Sequence, residues 1–212
     1  MEMIKRIDIQ ARRVHMPPLT EAELEAQAIA ELERMGGLWI ARSARTRLAV
    51  GGNMRIIADT REQHPFPFAR YEAEVERAAL PTADYSLPGF EDRVGIERKE
   101  LGDLIGCLMG ANRERFKREL RRLSSYELKA VVVEASMRDV ADGLYRSEMK
   151  PHAVLQSVFA FQVRYAVPFL FCGDRAGAEY TTFWLLAKYA REIEERMKKM
   201  TKAQAPAKGK AA

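Results

Sequence analysis

The sequence predicts an α/β fold, a mixed central sheet flanked by helices, and three observations carry that expectation. Short apolar runs of strand length, Ile56-Ile57-Ala58, Ala130 to Val133 and Val167 to Phe171, read as buried strands. Between and after them lie stretches with apolar residues at helical spacing, above all His152 to Arg164 and Ala176 to Lys199. A chain of 212 residues, 47% of them hydrophobic, has the material for one ordinary domain with flanking segments.

Taken in order, residues 1–52 read as an N-terminal appendage. Pro17-Pro18 break the chain, and Thr20-Glu21-Ala22-Glu23 forms a capping box that opens a helix to about Met35, closed by Gly36-Gly37. Leu38 to Val50 suits a strand or a hairpin, although Arg42, Arg45 and Arg47 leave no clean alternation. The main domain spans residues 53–199. It opens on Ile56-Ile57-Ala58, which delivers Asp59 at the C-terminal end of a strand, where sites sit in α/β sheets. Further strands are expected at Val75 to Leu80, Asp84 to Leu87 and Val94 to Lys99, the last two separated by Pro88-Gly89, and together they predict a meander. Leu101, Leu104, Ile105 and Leu108 recur at helical spacing, and Phe116, Leu120 and Leu123 continue the pattern beyond Gly110-Ala111-Asn112, as either one broken helix or two. The strands Ala130 to Val133 and Val167 to Phe171, joined through a helix, predict a right-handed βαβ crossover. The last helix carries Phe183, Leu186, Ala190 and Ile193 on one face, and residues 200–212 form a lysine-bearing tail expected to be disordered.

Composition narrows the function classes. The two cysteines, Cys107 and Cys172, support neither a disulfide framework nor a cysteine-rich zinc site, and a reducing cytoplasm is the expected location. No apolar run approaches the roughly 18 to 20 residues that span a bilayer, and no apolar signal-peptide core occurs, so no membrane partner is expected. A net charge of +5 is mild, but its basic residues cluster between Arg113 and Arg122. Arg115, Arg118 and Arg122 fall at i, i+3 and i+7, a stripe that with Arg113 could follow a DNA backbone or could simply be a solvated face. His15 and His152 show no ligand-like spacing; His64 lies nearest the site below and could contact phosphate, but a loop histidine near prolines is more often simply solvated.

Side chains alternate along a strand, so Glu97 and Lys99 project to one face of Val94 to Lys99 and Arg98 to the other. A lone Glu-x-Lys is more often an ion pair than a site. Asp84 changes the reading: it lies 13 residues upstream across one turn, where an antiparallel strand carries it beside Glu97. Two converging carboxylates suit a magnesium ion, and an ammonium beside them suits the charge that develops in phosphodiester hydrolysis.

Asp59-Thr60-Arg61-Glu62, Ala83-Asp84-Tyr85 and Ile96-Glu97-Arg98-Lys99 followed by Asp103 resemble the XPF-type nuclease domain, a branch of the PD-(D/E)xK superfamily with a restriction-endonuclease-like fold. The pattern Glu-Arg-Lys-x-x-x-Asp is specific, and the resemblance covers about Met54 to Lys199. It implies a metal-dependent DNA endonuclease that cuts branched or flap DNA in repair or recombination, with Mg2+ or Mn2+. Asp84 and Glu97 become the metal ligands, with Glu62 available to a second ion. Lys99 becomes the group that orients the attacking water and stabilises the transition state. Asp59 and Glu62 become supporting acids, Arg61 and Arg98 braces of carboxylates or phosphate, and Asp103 a group holding Arg98 or Lys99.

Three departures from the family stand out. Ala83 replaces the usual glycine, nothing after Lys199 reads as the tandem helix-hairpin-helix module of eukaryotic members, and residues 1–52 have no counterpart. A homodimer through the nuclease fold, using the apolar face of the last helix, is the favoured assembly. The main rival is a non-catalytic DNA-binding scaffold, against which the joint presence of Asp59, Asp84, Glu97, Lys99 and Asp103 speaks. An RNA-directed nuclease or an adaptor has no supporting RNA-module motif.

Overall fold

The computed structural model describes residues 49–50, 53–71 and 73–204. The appended helix and hairpin expected before residue 53 lie outside these residues, apart from the two-residue strand β1 (Ala49–Val50).

Six more strands build a seven-stranded mixed sheet: β2 (Asn53–Asp59), β3 (Ala73–Ala78), β4 (Tyr85–Ser86), β5 (Val94–Lys99), β6 (Leu128–Val133) and β7 (Phe169–Phe171). From β2 the order runs through β4 and β5 to β6 and β7. The expected meander does not form. β3 lies parallel to β2, with Met54 opposite Ala73 and Asp59 opposite Ala78, while β4 pairs antiparallel with both β2 and β5. Burial explains the exchange. β3 exposes Glu74, Glu76 and Arg77, which suits an outer strand, whereas Tyr85 and Ser86 of β4 are wholly buried and must lie inside the sheet.

Among the described residues the helices are α1 (Leu101–Cys107), α2 (Gly110–Leu123), α3 (Met137–Ala141), α4 (Pro151–Tyr165) and α5 (Arg175–Gln204). The interrupted helical pattern resolves as two helices, because Met109 between them is extended. Pro151, with its φ preset and no N–H to satisfy, starts α4. α3 was not visible as a periodic pattern; it is a five-residue turn fixed by a capping box between Ser136 and Asp139. β6 and β7 are parallel, as a crossover through α4 requires. α5 runs to Gln204, past the expected end at Lys199, so the first residues of the lysine-bearing tail are helical.

Strand alternation divides the interior into two cores. Val131 and Val133 face a core made with Leu104, Phe116, Leu120 and Phe161 of α1, α2 and α4. Ile56, Tyr85, Ile96 and Val132 face the other, with Ala178, Phe183, Leu186 and Ile193 of α5. Each large side chain so buried contributes about 1.5–3 kcal/mol. Gly95 sets how closely α2 approaches: a Cβ there would lie 2.7 Å from Leu123 Cδ1 and 3.1 Å from Ala83 Cβ. The end of α2 is thereby seated directly on β5.

Candidate active site

Antiparallel pairing sets Tyr85 opposite Ile96, which places Asp84 opposite Glu97 on the other face, as the sequence leads one to expect. The backbone completes the arrangement. Asp84 N–H donates to Ile96 O at 3.1 Å, Asp84 O accepts from Asp59 N–H at 2.8 Å, and the Asp84 carboxylate accepts from Arg98 N–H at 2.7 Å. β5 therefore aims both of its partner carboxylates: Glu97 by its own position and Asp84 by its amide.

Glu97 is 2% exposed, and one oxygen accepts from the Lys99 ammonium. Its other oxygen, Oε2, is buried with no hydrogen-bond partner. An orphaned buried carboxylate oxygen is costly and uncommon in a folded protein. Burial, then the Asp84 carboxyl beside it, pushes Glu97 well above the usual carboxylate range, against the pull of Lys99. Burial likewise pushes Asp84 up to about 6, opposed by Lys99 and the Arg98 N–H. For Lys99, burial disfavours the charge, but Glu97, Glu119 and Asp84 outweigh it and hold the ammonium above its ordinary value. Its Nζ lies 5.6 Å from the centre of the Phe116 ring of α2.

These groups line a cleft of about 490 Å³ together with Thr82, Asp103, Arg115, Glu119 and Arg122. Two of the expected DNA contacts, Arg115 and Arg122, thus face the cleft, while Arg118 is exposed but does not line it. Arg113 is turned elsewhere. Its guanidinium lies 4.6 Å from the Phe161 ring centre and donates to Leu108 O and Ser157 Oγ, which makes it a tie between α2 and α4.

The supporting residues separate into two clusters. Asp59 is buried and accepts from the Arg61 N–H, the Arg61 guanidinium and Leu80 N–H, the last at 2.6 Å. Burial would raise Asp59, but these bonds prevail and hold it below its ordinary value. Four donors engage its two oxygens, so Asp59 anchors the loop before β4. Arg61 in turn reaches Leu80 O. Arg98 leaves β5 on the opposite face and meets Glu134 at 2.6 Å, Glu100 at 2.7 Å and Glu62 at 3.4 Å. Burial works against its charge, but the bonds to Glu134 and Glu100 hold it above its ordinary value. Glu62 also accepts from His64 N–H at 2.6 Å. Asp103, expected to hold Arg98 or Lys99, is exposed on α1 and forms no hydrogen bond or ion pair with either.

Tyr85, Phe66 and Phe68, aromatic side chains near the site, are fully buried and pack on one another, so they belong to the core. Both cysteines are free thiols. Residues that sequence reasoning did not single out for the site are Glu119, Glu134 and Arg175. Arg175 joins Glu134 at 3.1 Å and His64 O at 2.7 Å, tying the start of α5 to the Glu62 loop. Glu134 was signalled by its place after a buried strand running parallel to β5, and Glu119 by lying three residues beyond Phe116.

Among the described residues, no three His, Cys, Asp or Glu side chains converge as a closed metal cage. Asp84 and Glu97 provide two oxygen donors, which is the protein share usual for a hard ion that keeps several waters. No helix of the described residues is long and apolar enough to cross a membrane.

A model of the ERCC4 domain matches residues 58–182, well over half of the chain and all of the residues of the cleft. No curated protein matches the sequence. Among solved structures, the fold is similar to that of XPF from Aeropyrum pernix, with a TM-score of 0.53 at 22% identity over 68% of this chain and 69% of that one. It is also similar to XPF from Aeropyrum pernix in complex with DNA, with a TM-score of 0.51 at 23% identity over 65% of this chain and 66% of that one. The mixed sheet with flanking helices is the fold shared with these structures.

Proposed function

The chain belongs to the ERCC4 domain family, and on that premise we propose that it is a metal-dependent endonuclease hydrolysing phosphodiester bonds in branched or flap DNA, during repair or recombination. The observation that carries the reading is the convergence of Asp84, Glu97 and Lys99 on one face of the sheet, at the floor of an open cleft. The unpartnered Glu97 Oε2 beside a second carboxylate fits a divalent cation, Mg2+ or Mn2+, held by Asp84 and Glu97. Such an ion, when bound, contributes Lewis-acid polarisation of the phosphoryl oxygen and a lowered pKa for water.

The chain's own residues do the rest. Lys99, kept protonated by its carboxylate neighbours, presents an ammonium to the negative charge that builds on the phosphorane oxygens, and donates to the attacking water. Because Glu97 grips the same ammonium, its direction is set before substrate arrives. Asp59 and Arg61 hold the loop that carries Asp84, and Arg98 ties the end of β5 to Glu62, Glu100 and Glu134. This rigid frame keeps the reacting groups within the narrow tolerance that hydrolysis demands. Arg115 and Arg122 at the cleft wall meet the phosphate backbone, a sequence-neutral contact. An enzyme with this substrate works inside the cell, in association with nucleic acid. We also propose a homodimer. The face of the last helix that carries Phe183, Leu186, Ala190 and Ile193 is buried against the sheet and is not free to supply its surface. The exposed Phe159 and Val163, one turn apart on α4, supply an apolar surface for the dimer, Val163 being more exposed than Tyr180 and Trp184 of the last helix.

The test is cleavage of flap, fork, duplex and single-stranded DNA by the full chain, with Mg2+ or with EDTA. Cutting of branched DNA in Mg2+ and none in EDTA is expected, with Asp84→Ala and Lys99→Ala binding DNA but not cutting it. Equal cutting by these variants would overturn the assignment. DNA binding by wild type without cleavage under any divalent ion would instead leave a scaffold.

A further inference from the structure

We propose that Glu119 of α2 is a third carboxylate of the cleft, a positioning residue that accepts hydrogen bonds from the hydration shell of a divalent cation held by Asp84 and Glu97. The proposal rests on the nuclease reading and extends it to a residue outside the strand motif.

Placement comes first. Phe116 is buried beneath the Lys99 ammonium and fixes the rotation of α2, and the close approach of Leu123 to Gly95 fixes its distance from β5. Glu119 follows Phe116 by three residues, so it shares that face one turn along and lines the cleft wall. It lies near enough for its charge to act on Lys99, Asp84, Glu97 and Arg61 together.

Its lack of partners comes next. Arg115 and Arg122 stand at i−4 and i+3 on the same helix, the spacing at which ion pairs usually form. Glu119 is half-buried, yet among the described residues it makes no hydrogen bond or ion pair. Glu97 also lines the cleft, and its buried Oε2 is equally unpartnered. Two carboxylates that line one cleft therefore carry unused acceptor capacity. In formal charge, Asp84, Glu97 and Glu119 against Lys99 leave two negative charges, which one divalent cation neutralises.

Distance decides the mode of contact. Because no three acids converge closely enough to share an ion directly, Glu119 acts through water, as suits a hard cation that dehydrates reluctantly. Outer-shell groups of this kind typically alter metal affinity by about 10–100-fold.

The experiment is Mn2+ titration calorimetry on the full chain without DNA, with melting curves in EDTA alongside. We expect Asp84→Asn and Glu97→Gln to abolish binding, and Glu119→Gln to weaken it about tenfold while leaving the EDTA melting temperature unchanged or raised. Glu119→Asp, which keeps the charge but shortens the reach, is expected between wild type and Glu119→Gln. Wild-type affinity in Glu119→Gln, with binding still lost in Asp84→Asn, overturns the proposal and spares the nuclease reading. A lowered EDTA melting temperature with unchanged Mn2+ affinity makes Glu119 merely structural and also overturns it. If wild type binds no Mn2+, both readings fall.

Discussion

Asp84 and Glu97 are two carboxyl groups held side by side largely out of water; in the metal-free protein burial and the Asp84 carboxyl make ionisation of Glu97 harder, and burial, with Glu62 and Glu119, does the same for Asp84. The consequence for stability has a definite sign. Asp84 titrates near its ordinary 3.8 when unfolded and near 6 when folded, so the folded state binds more protons between those values and stability falls as pH rises through them. Below about pH 4 the penalty is absent; above about pH 6 it is complete, at roughly 2–3 kcal/mol. Asp84→Asn can still accept the Arg98 N–H while carrying no charge. In EDTA at pH 7.5 it is expected to melt about 4–12 °C above wild type, with the gain gone by pH 4, while cleavage is lost. A variant that melts lower at pH 7.5 would show that the charged form is not penalised. Ala83, just before Asp84, holds a φ of +66°, a left-handed conformation costing an alanine about 1–2 kcal/mol. The glycine usual in the family at this position thus has a conformational reason, and the position was legible as a departure though its strain was not.

Helix α2 shows how far periodicity carries an interpretation. Spacing alone groups Arg115, Arg118 and Arg122, but it cannot say which way the group faces. That is settled by the burial of Phe116, Leu120 and Leu123 and by the seat of Leu123 at Gly95. The result separates arginines that look alike in sequence. Arg115→Ala and Arg122→Ala should weaken binding to every DNA sequence alike and each lower the salt slope of log K by about 1. Arg113→Ala, which loses the Phe161 contact and two hydrogen bonds, should cost about 1–2 kcal/mol of folding stability and leave the salt slope unchanged. Gel-shift titrations across salt, paired with urea melts, check both. An Arg113→Ala slope reduced as much as that of Arg115→Ala would show that the α4 tie does not occupy the side chain.

At the scale of the whole molecule, the exposed Phe159 and Val163 of α4 remain to be covered, Val163 at 84% exposure. If two copies meet there, light scattering on the full chain should give twice the monomer mass at micromolar concentration, and Val163→Glu should return it to the monomer. A monomeric wild type would remove the dimer. The same scale divides what the amino-acid sequence determined from what the tertiary structure decided. Asp84, Glu97 and Lys99 were legible because strand alternation and a single turn are local, and Lys99, Glu97 and their neighbours occupy the face that a period of two assigns them. The outer position and parallel direction of β3, the anchoring of Asp59 by Arg61 and Leu80, and the arrival of Glu119, Glu134 and Arg175 were not. Those depend on which surfaces bury together across tens of residues, and burial between distant segments follows no local period.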